Sequence, residues 1–300
     1  MRLGTLLRTG LALLPPVWLQ AQEDAFRISV DVNLVVLHAT VRDREGHLVQ
    51  DLRAQDIEVY EDGKRQAVRL FRHEDLPVTA GLVVDHSGSM RNKLADVVTG
   101  ARQFVRSSNS LDQMFVVNFN EKVSIPRPGR EDFTGSSDEL ERAITNAPPG
   151  GKTALYDAVL AALQRLRTGS RDKRALILIS DGGDNASSSG LQEVLRMAAL
   201  SSAIIYTIGV FDANDPDRNP GVLKQLAKAT GGEAYFPTEP AGIAEVCARI
   251  ALDIRQHYTI GYASSNEARD GAYRSVRLVA RKADKKLAVR VRAGYIAGGQ

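Results

Sequence analysis

Apolar and polar positions follow three successive patterns along the 300 residues. In the first, apolar residues alternate strictly from position 28 to 36, which is the period of a half-buried strand. Turn-forming sequences then separate two further short strands, predicted at residues 57–60 and 68–71. This pattern predicts a small β module at the beginning of the chain.

The second pattern, over residues 78–254, predicts strands and helices in turn. Four nearly continuous apolar runs are typical of strands covered on both faces, and they lie at residues 81–84, 115–119, 175–179 and 203–210. Helical periodicity predicts helices at residues 91–106, 154–167, 191–200 and 221–229. Ser189 and Gln192 form a capping-box signature before the third helix. Residues 118–123 predict a hairpin with an antiparallel edge strand. The alternation indicates a layered α/β fold.

The third pattern, after residue 254, returns to strands, predicted at residues 257–262, 276–279 and 287–291. Because neither terminal segment is long enough for a core of its own, we expect the two segments to pack together beside the α/β domain. The predicted organisation is a signal peptide, an N-terminal β module, the α/β domain and a C-terminal β segment, at residues 1–22, 23–76, 77–254 and 255–300.

Composition describes an ordinary globular chain, with 43% hydrophobic and 25% charged residues. The formal net charge of +3 does not suggest a nucleic-acid partner. Nine basic and two acidic residues lie between positions 269 and 292, which could indicate a polyanion or membrane surface. Because Arg290 and Arg292 alternate with valines, we interpret them instead as the solvent face of a strand, where cations discourage edge pairing.

The amino terminus predicts export. A basic start, a short apolar stretch and an Ala-containing end near residue 21 are typical of a secretory signal peptide. No other stretch approaches the length of a membrane-spanning helix, so we expect an exported chain, periplasmic or extracellular, without a transmembrane segment after cleavage. Cys247 is the single cysteine and lies in an apolar-periodic stretch, which predicts a buried hydrophobe and no intrachain disulfide.

The stretch 83–90, VVDHSGSM, carries the most specific chemistry. It places Asp85, Ser87 and Ser89 on a tight turn after a buried strand. A carboxylate and two hydroxyls are hard oxygen ligands, which suit Mg²⁺, Mn²⁺ or Ca²⁺ better than zinc or copper. The pattern predicts a divalent-cation site.

Two later segments strengthen this prediction. In GGKTALYD, residues 150–157, a glycine pair allows close backbone approach before Thr153, which could supply a third hydroxyl. In LILISDGG, residues 176–183, Asp181 ends an apolar run, at the edge where open α/β sheets bind ligands.

In this order and context, the residues resemble the metal-ion-dependent adhesion site of the von Willebrand factor type A family. The resemblance covers residues 78–254, and exported bacterial proteins with type A domains resemble this chain along most of its length. The family's metal residues map to Asp85, Ser87, Ser89, Thr153 and Asp181. The resemblance implies a doubly wound, mostly parallel sheet with a metal ion at its carboxyl edge. The expected ion is Mg²⁺, in preference to Mn²⁺ or Ca²⁺. The resemblance also implies that the two serines bind the ion directly, the threonine does so in the high-affinity state, and the aspartates act mostly through water.

The open coordination position should favour an anionic oxygen brought by a partner. We therefore expect a non-enzymatic binding or adhesion protein that engages an Asp or Glu of a protein ligand; the sequence does not indicate its oligomeric state. The expected partner-binding rim comprises His86, Lys152, Asp184 and Asp212.

Three alternatives use the same residues. The serines could only cap the next helix. Ser87 could be a nucleophile with His86 as base, but adjacent side chains diverge at a strand end and no G-x-S-x-G elbow surrounds the serine. The chain could also be an assembly or chaperone-type subunit of a larger intracellular machine, which the signal peptide disfavours.

Overall fold

A computed structural model describes residues 34–211, 217–239, 241–283 and 285–298. Three sequence predictions lie outside the described residues: the signal peptide, the first strand before Leu34 and the rim residue Asp212. No helix in the described part of the chain combines the length and apolar character needed to cross a membrane.

The secondary structure follows the predicted order of β, α/β and β segments. The strands are β1 (Leu34–Arg42), β2 (Ile57–Glu61), β3 (Lys64–Gln66), β4 (Val68–His73), β5 (Val78–Asp85), β6 (Gln113–Phe119), β7 (Val123–Ser124), β8 (Lys173–Ser180), β9 (Ile204–Gly209), β10 (Ala234–Tyr235), β11 (Tyr258–Ala263), β12 (Tyr273–Lys282), β13 (Lys285–Lys286), β14 (Ala288–Arg290) and β15 (Gly294–Ile296). The helices are α1 (Leu94–Ser107), α2 (Ser137–Thr145), α3 (Leu155–Leu166), α4 (Leu191–Leu200), α5 (Pro220–Thr230) and α6 (Gly242–Arg255), with two short 3₁₀ helices at Ala54–Asp56 and Gly88–Met90.

Strands β5 to β10 form a six-stranded sheet in the order β10-β9-β8-β5-β6-β7. All neighbours are parallel except β7, which pairs antiparallel with β6. The chain starts in β5, moves outward to β7 and returns to β8 on the other side of β5. The connections therefore diverge at the carboxyl ends of β5 and β8, which is where such sheets bind ligands. The predicted doubly wound, mostly parallel fold is confirmed.

Both faces of this sheet are covered by helices. All eight residues of β5 are buried, and alternate residues enter different cores. One core includes side chains of α1, α2 and α6, and the other includes side chains of α3, α4 and α5. Cys247 on α6 is free and buried, as predicted.

The terminal segments together build the smaller β-rich module. β1 pairs with β11 and β14, and β11 also pairs with β4. β2 pairs with β3 and with β12, which continues to β13 and β15. Side chains from both ends of the chain share one core. The exact domain boundaries stay a prediction.

A cluster of buried charges joins this module to the parallel sheet. Asp253 of α6 is 0% exposed. Its carboxylate accepts hydrogen bonds from Arg42 of β1 at 3.0 Å, from Tyr206 of β9 at 2.6 Å, and from Arg290 of β14. We call these four residues the Asp253 cluster. It fixes the last turn of α6 to strands from both parts of the molecule.

The solvent-face interpretation of Arg290 and Arg292 is wrong. Arg290 is half-buried and pairs with Asp253 and Glu233. Arg292 is buried and donates to the carbonyl oxygens of Gly294, at 2.8 Å, and Ala199. The alternation with valines is real, but the side that it assigned to water packs against the main sheet and its helices.

Candidate metal centre

Asp85 is the last residue of β5 and is 0% exposed. Its Oδ1 accepts a hydrogen bond from the backbone N–H of Ser87 at 2.8 Å. Its Oδ2 accepts one from the hydroxyl of Ser180, the last residue of β8, at 2.6 Å. The carboxylate is therefore held by its own turn and by the neighbouring strand.

The two serines connect Asp85 to the second aspartate. The hydroxyl oxygens of Ser87 and Ser89 lie 3.1 Å apart. Ser89 donates its hydroxyl to Oδ2 of Asp181 at 2.5 Å, and the other carboxylate oxygen of Asp181 accepts from the backbone N–H of Gly183 at 3.0 Å. Four of the predicted metal residues thus form one hydrogen-bonded chain at the switch point of the sheet.

The loop that carries Thr153 is tied to the same turn. Gly150 donates its N–H to the carbonyl of His86 at 2.8 Å, and the N–H of Gly88 donates to the carbonyl of Gly151 at 3.3 Å. Thr153 is buried, and its N–H donates to Oδ1 of Asn185 at 2.9 Å. The loop and the serine turn are therefore adjacent along their backbones.

Gly151 occupies a position that favours glycine for two reasons. Its φ is +80°, and a Cβ there would lie 1.6 Å from a carboxylate oxygen of Glu121. That carboxylate accepts a hydrogen bond from the N–H of Lys152 at 3.1 Å. The β6–β7 turn therefore supports the loop from outside.

The electrostatics of the site suit a divalent cation. Burial raises the pKa of the Asp85 carboxyl to about 6, and the negative charge of Asp181 adds to this effect, while hydrogen bonds from Ser180 and Ser87 oppose it. Two buried carboxylates beside the hydroxyls of Ser87 and Ser89, with Thr153 on the adjacent loop, make a hard-oxygen donor set that fits Mg²⁺, Mn²⁺ or Ca²⁺. Within the described ranges, no three His, Cys, Asp or Glu side chains are grouped to hold a metal, so a metal here would depend on the hydroxyls.

The predicted rim residues differ in their positions. His86 is 1% exposed, and its Nε2 lies 3.1 Å from Oδ1 of Asn118; the prediction that it faces a partner is wrong, because its ring turns into the core. Lys152 is exposed. Asp184 is half-buried and accepts from the hydroxyl of Ser187 at 2.5 Å and from the N–H of Tyr156 at 3.3 Å, so it also supports the first turn of α3.

Three supporting residues escaped the sequence analysis. Ser180 could have been found from its place directly before Asp181 on a strand end. Asn185 and Glu121 are distant in sequence from the residues they hold, and no local pattern connects them with Thr153 or Lys152.

Comparison with known proteins identifies the family and the fold of this chain. Residues 81–246 match the family model of the von Willebrand factor type A domain. A curated relative, the uncharacterized protein sll0103 of Synechocystis sp., is 23% identical over 167 residues, which is 55% of this chain and 39% of the relative. The chain thus spans about two fifths of that relative.

Two solved structures share the fold. A von Willebrand factor type A protein from Catenulispora acidiphila has a TM-score of 0.53 and 15% identity, covering 82% of this chain and 74% of that one. The vWF domain of the type V pili tip protein Mfa5 from Porphyromonas gingivalis has a TM-score of 0.50 and 15% identity, covering 60% of this chain and 95% of that one.

Proposed function

Because the chain belongs to the von Willebrand factor type A domain family, we propose that it is a non-enzymatic binding protein whose metal centre engages an acidic side chain of a protein partner. The observation that carries this proposal is the hydrogen-bonded chain from Asp85 through Ser87 and Ser89 to Asp181. These residues converge from two strands at the ligand-binding edge of the sheet.

The chain's own residues have distinct parts in this proposal. The hydroxyls of Ser87, Ser89 and Thr153 would hold the ion, and Asp85 and Asp181 would orient them and balance its charge. A bound Mg²⁺, Mn²⁺ or Ca²⁺ would supply positive charge with one position open to an anionic oxygen. Because the hydroxyl of Ser89 donates to Asp181, its lone pairs stay available to a cation.

Geometry also favours binding over catalysis. The hydroxyl of Ser87 lies next to that of Ser89, and His86 directs its Nε2 to Asn118. A general base must be within hydrogen-bond reach of the proton that it removes. His86 is turned away from the two serine hydroxyls, which supports a site that binds a ligand without hydrolysing it.

The test is divalent-dependent stabilisation of the purified chain. A ligand that binds only the folded state at 100 times its Kd stabilises it by about 2.7 kcal/mol. We expect Mg²⁺ or Mn²⁺ to raise the Tm, chelator to reverse the rise, and Asp85→Ala or Ser89→Ala to abolish it. Ser124→Ala, on the exposed edge strand β7, is the matched control. An equal rise in Tm for Asp85→Ala would contradict the proposal.

We further propose that the protein is exported, on the strength of its amino-terminal sequence. The mature amino terminus should lie near residue 22 in an exported fraction. An uncut chain confined to the cytoplasm would instead favour the assembly-subunit alternative.

A further inference from the structure

Exposed cations surround one side of the candidate metal centre. Arg91 follows the Gly88–Met90 turn, and its Nη2 donates to the carbonyl of Pro149 at 3.4 Å. Lys152 directly precedes Thr153, and Lys122 lies on the β6–β7 turn. All three side chains are exposed, and they border the loop that brings Thr153 to the site.

Within the part of the chain that the structure describes, ion pairs do not neutralise these cations. Among residues with a described placement, none of the three forms an ion pair. Glu121 is the acidic residue among them, and its carboxylate accepts from the backbone N–H of Lys152 at 3.1 Å. The three cations therefore outnumber the carboxylate of Glu121 on this turn and loop.

Acidic side chains lie on the segment after β8, which is hydrogen-bonded to the Thr153 loop. Asp184 lies three residues after Asp181 and is half-buried. Asp217 is exposed and accepts from the side-chain amide of Asn185 at 3.3 Å. A charged ligand at the metal centre therefore meets the exposed cations of the rim as well as these acidic groups.

We propose that the partner presents an acidic peptide segment, in which the acid at the metal centre is accompanied by at least one further Asp or Glu that contacts Arg91 and Lys152. This inference rests on the proposed function and adds a requirement to it. Complementary rim charges fix the register of a ligand and speed its encounter.

The test uses the full chain and three fluorescein-labelled pentapeptides: Gly-Gly-Asp-Gly-Gly, Glu-Gly-Asp-Gly-Glu and Lys-Gly-Asp-Gly-Lys. Anisotropy is measured at low salt, in Mg²⁺ and in chelator. We expect the Glu-flanked peptide to bind roughly threefold to thirtyfold more tightly than the Gly-flanked one, as for two exposed ion pairs. The Lys-flanked peptide should bind most weakly, and 0.5 M salt should reduce the differences.

Two variants test which residues cause the preference for the Glu-flanked peptide. Arg91→Gln with Lys152→Gln should remove the preference and leave Mg²⁺-dependent stabilisation intact. Lys228→Gln, an exposed cation in the last turn of α5, should change neither. Equal, chelator-sensitive binding of all three peptides would overturn this inference and leave the proposed function standing.

Other outcomes are also decisive. Preference for the Glu-flanked peptide that persists in chelator and in Asp85→Ala would reveal a general anion-binding patch, and would count against both proposals. Failure of every peptide to bind at millimolar concentration, in a chain that still responds to Mg²⁺, would overturn the inference alone.

Discussion

Ser180 and Ser89 are small residues that join the two aspartates of the site to the neighbouring strand ends. Ser180 extends from β8 to Asp85, and Ser89 extends from the β5 turn to Asp181. Each buried carboxylate thus receives a hydroxyl from the other side of the switch point. An unsatisfied buried acceptor would cost about 1–3 kcal/mol, so these bonds keep the donor set in place before any ligand arrives.

Gly151→Ala tests the support of the Thr153 loop. Its positive φ alone should cost about 1–2 kcal/mol, and displacing Glu121 should cost a further hydrogen bond of about 0.5–1.5 kcal/mol. Gly46→Ala is the matched control, because Gly46 has a φ of +89° with nothing within 4 Å of an added Cβ. Urea unfolding should therefore show a larger loss for Gly151→Ala.

The cost of displacing Glu121 can be measured separately. In a Glu121→Ala background, Gly151→Ala should cost no more than Gly46→Ala does in the parent chain. An unchanged cost in that background would show that Glu121 does not support the loop.

Single residues were predictable where a motif fixes their spacing. Asp85, Ser87 and Ser89 lie on one turn, and Asp181 ends an apolar run, so local sequence indicates their positions. The burial of His86 was not predictable, because its direction depends on Asn118, which reaches it from β6.

Helices α1 and α6 pack closely at a glycine. A Cβ on Gly100 would lie 2.7 Å from Cγ2 of Ile243 and 3.1 Å from Sγ of Cys247. Overpacking costs about 1–3 kcal/mol, whereas alanine gains about 1 kcal/mol of helix propensity. We expect Gly100→Ala to lower the free energy of unfolding by up to about 2 kcal/mol.

Substitutions of Ile243 test whether its Cγ2 atom causes the penalty for Gly100→Ala. Ile243→Val retains Cγ2 and should keep the penalty for Gly100→Ala, but Ile243→Ala removes Cγ2 and should turn the penalty into a gain. Equal effects in both backgrounds, measured by denaturant unfolding, would contradict this account of the interface.

Elements with long apolar runs were predicted best. β5, β6, β8 and β9 all lie where the sequence indicated, since burial on both faces leaves a continuous signal. Helix α2 was missed, although Ser136 caps it by accepting from the N–H of Glu139, because it is short and polar. The predicted Ser189 cap of α4 is wrong, since Gly190 is the N-cap and the N–H of Ser189 donates to Asp157.

For the terminal strands, the sequence alone could not predict which face is buried. The alternation that includes Leu34 and Val36 predicted one buried face for β1, but the neighbouring set, Val35, Leu37, Ala39 and Val41, is the more deeply buried. The two faces meet different parts of the molecule, and this depends on pairing between distant segments. For the same reason, β15 was not predicted.

At the scale of the whole molecule, the Asp253 cluster links the β module to the parallel sheet. Removing one partner of a buried ion pair costs about 3–5 kcal/mol. Because Arg42 still pairs with Asp253, we expect Arg290→Met to lower stability by at most this amount, and Asp253→Asn to recover part of the loss in that background. Lys282→Met, which breaks the exposed pair with Asp51, should cost about 1 kcal/mol or less. Additive losses for the two cluster variants in calorimetry would argue against coupling.

His38 gives the same region a dependence on pH. Burial lowers the pKa of His38 to about 3, and the charges of His257, Lys173 and Arg292 contribute. Because the unfolded chain binds the proton near pH 6.5, this contribution is complete above that pH and is lost as the pH falls toward 3. The slope for one proton is at most about 1.4 kcal/mol per pH unit.

The variant His38→Gln should therefore flatten the dependence of unfolding free energy on pH between 6.5 and 4.5. Some slope should persist, because burial also lowers the pKa of His257. A profile identical to that of the parent chain would exclude His38 as a source of acid sensitivity.

The Asp253 cluster also limits how this protein can be cut for engineering. A fragment trimmed to residues 77–255 would keep the carboxylate of Asp253 and discard the guanidinium groups of Arg42 and Arg290. Grafting the parallel sheet onto another scaffold would thus transplant an uncompensated charge in its last helix. A graft that carries Asp253→Asn, or that brings β1 and β14 with it, avoids this defect.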